Sequence, residues 1–129
     1  MENQEFGIKS KIRSFTDLMV WQESHKVVLS IYKITKNFPN EEIYGLTSQM
    51  RRAAVSVTSN IVEGFTRRSK KEKQQFYSIA RGSLVELESQ LFIARDISYI
   101  TMKDFEEIHA QIHVAQRLLS AFVQSVNRL

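Results

Sequence analysis

Proline and glycine are scarce in this chain, and their scarcity limits its possible folds more than any other feature. One proline and four glycines occur in 129 residues. Because these residues build tight turns, their scarcity disfavours a turn-rich β fold and favours long, uninterrupted helices. The single proline, Pro39, lacks an amide donor and restricts Phe38, so a first helix is predicted to end near Asn37.

Apolar residues recur at the i, i+3, i+4, i+7 spacing of amphipathic helices in four segments. In the first segment, Thr16 or Asp17 can cap the start of the helix through a side-chain oxygen. The stripe of this helix that is predicted to face the core contains Leu18, Trp21, His25, Val28, Leu29 and Tyr32.

The other three segments have recognisable boundaries. The second helix is predicted over about 46–63, with Gly64 following it in the left-handed conformation. Capping boxes that begin at Ser69 and Thr101 start the third and fourth helices. The connections are only a few residues long, so consecutive helices must run antiparallel.

These boundaries predict an all-α fold, an up-down-up-down antiparallel four-helix bundle. Residues 15–129 are expected to form this bundle as a single domain, and residues 1–14 a flexible N-terminal arm. The absence of cysteine excludes a disulfide scaffold, thiolate zinc sites and cysteine nucleophiles. No apolar run reaches the roughly 18 residues that a membrane span needs, so we expect a cytoplasmic protein without a membrane partner.

A second set of apolar residues predicts self-association. In the first helix these residues lie about 180° from the core stripe, and others lie off the core faces of the second and third helices. A monomer would expose them as a large apolar patch, so burial against identical copies is favoured over scattered surface hydrophobes. The residues predicted to lie outward are Val20, Val27, Ile31, Ile34, Phe38, Val55, Val62, Ile79, Ile93, Ile97 and Ile100.

Two histidines raise the question of a metal. His109 and His113 are four residues apart, and Glu106 forms a Glu-x-x-His pair with His109. A di-iron bundle needs this pair twice, and the sequence has no second one. We therefore predict no metal and no cofactor, and we expect surface or interface packing of both histidines. A site shared across an interface stays open, and His25 is expected to be a hydrogen-bonded interior histidine.

No pattern in the sequence favours an enzyme. It contains no Gly-x-Ser-x-Gly elbow, no Walker loop and no dinucleotide fingerprint. The adjacent acids of Glu41–Glu42 and Glu106–Glu107 diverge on a helix and cannot flank a substrate together. We predict a non-enzymatic protein with no catalytic residues, unless a site is assembled across subunits.

A polar strip runs along the second helix, within the segment RRAAVSVTSNIVEG. When this helix is set antiparallel to the third, Arg52 comes within reach of Glu86. Gly82 is expected to mark the close approach of another backbone, because glycine inside a helix is otherwise unfavourable. We predict a structural network, with a ligand-binding site as the alternative. Its members are Arg52, Ser56, Asn60, Glu63, Ser83 and Glu86.

Positive charge is concentrated in the run TRRSKKEK, in a chain of net charge +4. Such a run can contact nucleic-acid phosphates, and a solvated loop is the alternative. No aromatic residue interrupts the run, so binding is expected to show low sequence selectivity. The candidate contacts are Arg67, Arg68, Lys70, Lys71 and Lys73, with Lys9, Lys11 and Arg13 from the arm.

Two motifs carry a family resemblance. These are Arg-Arg-Ala-x-x-Ser-x-x-x-Asn-Ile-x-Glu-Gly over 51–64 and Gly-Ser-x-x-Glu-Leu over 82–87. With the surrounding sequence over about 15–100, they resemble the bacterial four-helix-bundle proteins encoded by intervening sequences in 23S rRNA genes. The resemblance implies a ring of identical copies, with a pentamer as the expected state. It also implies kinship with the accessory variability protein of diversity-generating retroelements, a basic, ring-forming nucleic-acid binder that works with a reverse transcriptase.

Two function classes follow. The first is a non-enzymatic, homo-oligomeric protein that binds structured RNA or DNA through basic surface residues. The alternative is a protein–protein assembly or adaptor module with no nucleic-acid role. The family has no established catalytic residues, so the resemblance assigns none to this chain.

Overall fold

The structure, a computed structural model, describes residues 12–128. Within this range the chain forms four α-helices and no β-strand. The helices are α1 (Met19–Thr35), α2 (Leu46–Thr66), α3 (Lys70–Asp96) and α4 (Met102–Asn127). Short 3-10 turns over Phe15–Asp17 and Asn40–Glu42 precede α1 and α2. The predicted all-α, four-helix fold is confirmed, while residues 1–11 of the predicted arm lie outside the described range.

Each helix packs against two neighbours, so that α1 and α3 are each flanked by α2 and α4. Short connections make the arrangement an up-down-up-down bundle. Its interior contains large apolar side chains that are completely buried, among them Met50, Ile61, Leu84, Leu91 and Ile112. These follow the spacing predicted for α2, α3 and α4. Between residues 12 and 128, none of the helices is both long and apolar enough to cross a membrane.

The rotation of α1 about its axis differs from the sequence-based prediction. Leu29 and Tyr32, predicted to face the core, are 57% and 39% exposed. His25 is not an interior histidine, because it is only half-buried and its ring stacks on Trp21 with centroids 4.7 Å apart. The buried stripe is instead the one predicted to lie outward, and its buried members are Val20, Val27, Ile31 and Phe38.

Polar contacts show why α1 is rotated in this way. Periodicity alone cannot choose between two opposite stripes when both are apolar. On the buried side, the hydroxyl oxygen of Thr35 accepts a hydrogen bond from Arg51 Nε of α2 at 2.8 Å. Ser30 Oγ donates to Gln111 Oε1 of α4 at 2.7 Å. These partners on two neighbouring helices fix the rotation of α1.

The two glycines of α2 and α3 have roles opposite to those predicted. Gly64 lies inside α2, which continues to Thr66, and is not a left-handed residue after the helix. A Cβ at Gly64 would overlap the ring of Tyr77, whose Cδ1 would lie 2.8 Å away. Gly82 does not allow the close approach that the sequence predicts, because no described atom lies within 4 Å of a Cβ built there. The close contact between α2 and α3 is therefore at Gly64.

The side-chain caps predicted at Ser69 and Thr101 are present, but in the described structure Glu72 and Asp104 do not form the second hydrogen bond of a capping box. The side-chain oxygens of Ser69 and Thr101 each accept a hydrogen bond at 3.0 Å from the amide three residues further on. The prediction that Thr16 or Asp17 caps α1 is wrong. Ser14 caps the 3-10 turn instead, and α1 follows that turn without a side-chain cap of its own.

Two contacts show that α3 and α4 keep one register along most of their length. At one end, Lys70 Nζ donates to the carbonyl oxygen of Asn127 at 3.1 Å. Further along α3, Glu88 Oε2 lies 2.8 Å from His109 Nε2. In both pairs, the two residues lie equally far along the chain from the same point in the α3–α4 turn. The two helices therefore run antiparallel without drifting past each other.

Candidate functional site

The antiparallel arrangement separates charge between the two ends of the bundle. One end, here called the basic end, is formed by residues 12–24, 60–76 and 120–128 and contains seven Lys and Arg against four Asp and Glu. The other end, here called the acidic end, is formed by 31–49 and 93–109 and contains four Lys and Arg against six Asp and Glu. The bundle is therefore electrostatically polarised along its axis.

Two lysines of the basic end bind helix carbonyls. Lys73 Nζ donates to the carbonyl oxygens of Gly64 at 3.0 Å and Phe65 at 3.1 Å, near the end of α2. Lys70 Nζ donates to that of Asn127 at the end of α4. Cations are favourable there because the last carbonyls of a helix carry partial negative charge. Partial burial lowers the pKa of Lys73 below its usual value.

The other cations of the α2–α3 turn are exposed. Arg67 forms an ion pair with Glu63 at 2.9 Å, and its guanidinium lies over the ring of Phe76 at 4.8 Å. Within residues 12–128, the side chains of Arg68 and Lys71 make no hydrogen bond or ion pair. These two side chains are therefore the cations of the turn that an anion can reach most directly.

The remaining candidate phosphate contacts belong to the N-terminal segment. Arg13 is exposed at the basic end, and its backbone amide donates to Asp17 Oδ2 at 2.8 Å. Lys9 and Lys11 lie outside the described residues. Every candidate that the structure describes is thus at the same end of the bundle.

The structure brings part of the predicted polar network together. The hydroxyl oxygens of Ser56 and Ser83 lie 2.8 Å apart and join α2 to α3. Asn60 Nδ2 donates to the carbonyl oxygen of Ser56 at 2.8 Å and to its hydroxyl at 3.1 Å. This neutral contact joins the two helices through paired hydroxyls and an amide donor, as expected of a structural role.

The charged members of the network are placed elsewhere. Arg52 is exposed and forms no ion pair with Glu86 in the described structure. Glu86 is exposed as well and accepts a hydrogen bond from Gln90 Nε2 at 3.2 Å. Glu63 pairs with Arg67, the residue that follows the last residue of α2. The predicted ion pair is absent from residues 12–128 because both partners face solvent, where screening leaves little attraction to hold two long side chains together.

Apolar side chains remain exposed on the outer surface of the bundle. On α3, Ile79, Ile93 and Ile97 are each about half exposed, at 51%, 47% and 47%. They fall within about 40° of one another on a helical wheel, as the sequence predicts. The outer apolar face is defined here as Ile79 and Ile93 of α3 with Ile97 at its C-terminal cap; other exposed apolar side chains on the bundle are Leu29, Tyr32, Val55 and Val85.

A group of titratable side chains lies midway along the α3–α4 contact. Glu88 Oε2 is 2.8 Å from His109 Nε2 and 3.2 Å from His113 Nε2. Gln116 Nε2 donates to the other carboxylate oxygen of Glu88 at 3.1 Å. The hydrogen bond from His109, followed by that from Gln116, lowers the pKa of Glu88 below its usual range. These four residues are called the Glu88 cluster below.

The two histidines of the Glu88 cluster differ in their surroundings. His109 is half-buried, and its ring packs against Phe92 and Phe105 with centroids 5.2 and 5.1 Å away. The His113 side chain is 52% exposed and borders a surface groove along α4. Their potential ligand atoms and a Glu88 oxygen all lie within 4.8 Å of one another. Two imidazoles and a carboxylate are a donor set that can hold a metal ion.

The sequence pattern does not reveal Glu88, because it points to an acid on the same helix as the histidines. That acid, Glu106, is exposed and contacts neither histidine in the described structure. The feature that could have identified Glu88 from the sequence is the register of α3 against α4. An antiparallel turn centred near residue 99 places Glu88 level with residue 110, between the two histidines.

Comparisons with known proteins concern the family and the fold. A family model described as 23S rRNA-intervening sequence protein matches residues 16–121. The fold is similar to the crystal structure of a protein of unknown function from the S23 ribosomal protein family of Bacteroides thetaiotaomicron. The TM-score is 0.73 at 23% identity, and the match covers 81% of this chain and 98% of that one. A comparison with curated proteins finds no match.

Proposed function

The chain belongs to the 23S rRNA-intervening sequence protein family, and we propose that it is a non-enzymatic, self-associating protein that contacts nucleic acid with its basic end. The charge separation along the bundle carries the proposal. Cations from three separate chain segments meet at one end, although they are far apart in sequence. The phosphate backbone of structured RNA or DNA is the polyanion that such a surface attracts.

Of the five cations in the α2–α3 turn, only Arg67 forms an ion pair in the described structure. Lys70 and Lys73 donate to neutral carbonyl oxygens, so each retains its full positive charge. Arg67 is paired with Glu63, but exposed pairs of this kind contribute only about 0–1 kcal/mol. A phosphate group can therefore replace the carboxylate at little cost.

We expect low selectivity for base sequence. The ring of Phe76 lies beneath the guanidinium of Arg67 and is half-buried, and that of Phe65 packs against the core. Bases therefore have no free ring in the described part of the turn on which to stack. Contacts to phosphates position a nucleic acid without reading its sequence. Charge density and shape are the features that the basic end would recognise.

A salt titration of binding to a labelled RNA hairpin tests the phosphate contacts. The variant Arg68→Glu/Lys71→Glu should bind at least tenfold more weakly than wild type at 100 mM salt. Its plot of log affinity against log salt should be less steep, by about one for each phosphate that the variant no longer binds. Wild-type affinity that does not change between 50 and 200 mM salt would contradict the proposal.

The acidic end offers a matched control. Lys36→Glu/Lys103→Glu makes the same change in net charge at two exposed lysines far from the basic end. This control should keep wild-type affinity within about threefold, because long-range effects are screened over roughly 10 Å at 0.1 M salt. Equal losses in the two double variants would assign binding to net charge and not to the basic end.

Self-association is supported by the outer apolar face. Exposed isoleucines aligned on one side of a helix favour burial against another copy. In a pentamer, the +4 charge of each chain would rise to about +20, and phosphate contacts on several copies would add as avidity. The outer apolar face and the basic end thus support the same proposed function. Association through the face would bring several basic ends together on one nucleic acid.

Light scattering after size exclusion tests this part of the proposal. Wild type at micromolar concentration should have a mass that is a multiple of 15.0 kDa, with five copies as the expected number. Ile79→Glu/Ile93→Glu should dissociate the assembly. Met102→Glu, at a residue 57% exposed outside the face, should leave it intact. A wild-type mass of one chain would refute self-association.

A further inference from the structure

The Glu88 cluster has no part in the proposed contacts with nucleic acid. It lies midway along the bundle, and its residues come from two facing helices. We propose that Glu88, His109 and His113 bind one divalent cation of the zinc class and hold it between α3 and α4. Gln116 acts as a positioning residue for the carboxylate. This inference is independent of the nucleic-acid and self-association proposals.

The donor set fits this class of cation. Zinc is bound by imidazole nitrogens and carboxylate oxygens, and sites with three protein ligands keep a fourth position for water. Glu88 and the two histidines supply three such ligands. Calcium and magnesium prefer sites built from oxygen alone, so they fit this set poorly. The exposed side of His113, next to the groove along α4, leaves room for the water.

The spacing of the ligand atoms also fits. Ligands about 2.0–2.1 Å from a tetrahedral zinc lie roughly 3.3 Å from one another. Glu88 Oε2 is 2.8 Å from one imidazole nitrogen and 3.2 Å from the other, and all three atoms lie within 4.8 Å of one another. Because the widest separation can be as large as 4.8 Å, the two imidazole nitrogens would approach each other by up to about 1.5 Å to reach the spacing that zinc requires.

Metal binding requires a change of tautomer at both rings. Each histidine now has Nε2 at hydrogen-bonding distance from Glu88 Oε2. When a cation binds, each neutral ring carries its proton on Nδ1 and offers the Nε2 lone pair to the metal. The cation then occupies the position between the carboxylate and the rings that the hydrogen bonds occupied.

The surrounding side chains hold the ligands in place. The ring of His109 packs against two phenylalanines, and the second carboxylate oxygen of Glu88 accepts a hydrogen bond from Gln116. Such supporting contacts typically contribute about 10–100-fold to metal affinity. All three ligands are carried by helices, which are more rigid than loops.

Zinc binding to the full chain, measured by calorimetry after removal of metal with a chelator, tests the site. Wild type should bind one zinc ion per chain. His113→Ala and Glu88→Gln should each weaken binding at least tenfold, and Gln116→Ala should weaken it about tenfold. His113 is largely exposed, so its removal should leave the helical circular dichroism unchanged.

His25→Ala is the matched control, because it removes the one remaining histidine of the chain, which lies on another helix. It should bind zinc as wild type does. The proposal is overturned if wild type shows no saturable binding or if His113→Ala binds within tenfold of wild type. Half an equivalent of zinc per chain would also overturn it, since that ratio means that two copies share one ion.

Discussion

Helix α3 packs against α2 on one flank and against α4 on the other, and the two flanks differ in how closely the helices approach. On the α2 flank, small groups meet. Gly64 lies against the ring of Tyr77, and the hydroxyls of Ser56 and Ser83 touch directly. The long side chain of Lys73 crosses this flank only at its end, where it reaches the last carbonyl oxygens of α2.

On the α4 flank, long side chains bridge the two helices. Glu88 reaches two imidazoles and an amide, and the neighbouring Phe92 packs on Phe105 with ring centroids 5.2 Å apart. Because these groups extend from both helices, several polar atoms converge on one point. Close packing thus makes the α2 flank structural, whereas the convergence of long side chains gives the α4 flank the capacity to bind a ligand.

The largest effect is expected where the α2 flank is tightest. Gly64→Ala adds one methyl group that would overlap Tyr77, and the fully buried ring cannot easily move because it packs on Phe122. We expect the free energy of unfolding to fall by about 1–3 kcal/mol, the usual cost of overpacking. Urea denaturation followed by circular dichroism measures it.

The same substitution at Gly82 is the control. No described atom lies near a Cβ there, so Gly82→Ala should stabilise the helix by up to about 1 kcal/mol through better helix propensity. If the two alanine variants changed stability equally, the α2 flank would not be as tightly packed as the structure indicates.

A smaller effect is expected from the hydroxyl pair of the same flank. Ser56→Ala and Ser83→Ala should each cost about 1 kcal/mol, and the double variant should cost less than their sum because the two residues share one hydrogen bond. A double-mutant cycle by urea denaturation gives this coupling. Ser59→Ala, on the exposed side of α2, should be neutral or slightly stabilising. Strict additivity would show that the two hydroxyls do not interact.

The smallest effect is expected from a carboxylate outside both flanks. Glu42 accepts hydrogen bonds from the Leu46 amide at 3.0 Å and from the Tyr99 hydroxyl at 2.7 Å, and these bonds, the amide first, lower its pKa below the usual value of 4.5. Its stabilising contribution is therefore present above about pH 4.5 and is lost as the pH falls through the lower, folded-state pKa.

Glu42→Gln should accordingly be less stable than wild type at pH 7, and the difference should shrink in acid. Thermal unfolding across this pH range measures it, with the adjacent exposed residue changed in Glu41→Gln as the control. If the difference in stability stayed constant with pH, the ionised Glu42 carboxylate would not be what stabilises the contact with Leu46 and Tyr99.

The fold could be predicted largely from local patterns. The core stripes of α2, α3 and α4 and the caps at Ser69 and Thr101 follow from spacing and side-chain chemistry alone. The rotation of α1 could not be predicted, because its two opposite faces are both apolar and the choice depends on Arg51 and Gln111 of other helices. Local periodicity carries no information about partners of this kind.

The candidate site was less predictable than the fold. The basic run is visible in the sequence, but the structure shows that Lys70 and Lys73 donate hydrogen bonds to carbonyl oxygens at helix ends. Arg68 and Lys71 are therefore the cations more available to an anion. Glu88 could not be identified as a candidate ligand from the sequence, because its contacts depend on which residues of α4 it faces. Both results depend on contacts between distant segments, and composition or spacing within one helix does not report such contacts.

The constant register of α3 and α4 has a consequence for how the chain can change length. Lys70 and Glu88 make their contacts about 27 Å apart along α3, at 1.5 Å per residue. Inserting one residue between them would turn one contact by about 100° relative to the other, and a matching insertion in α4 would be needed at the same level. Only additions of about seven residues, two turns of helix, would preserve both contacts. Natural variation in the length of this pair should therefore come in heptads, inserted into both helices at once.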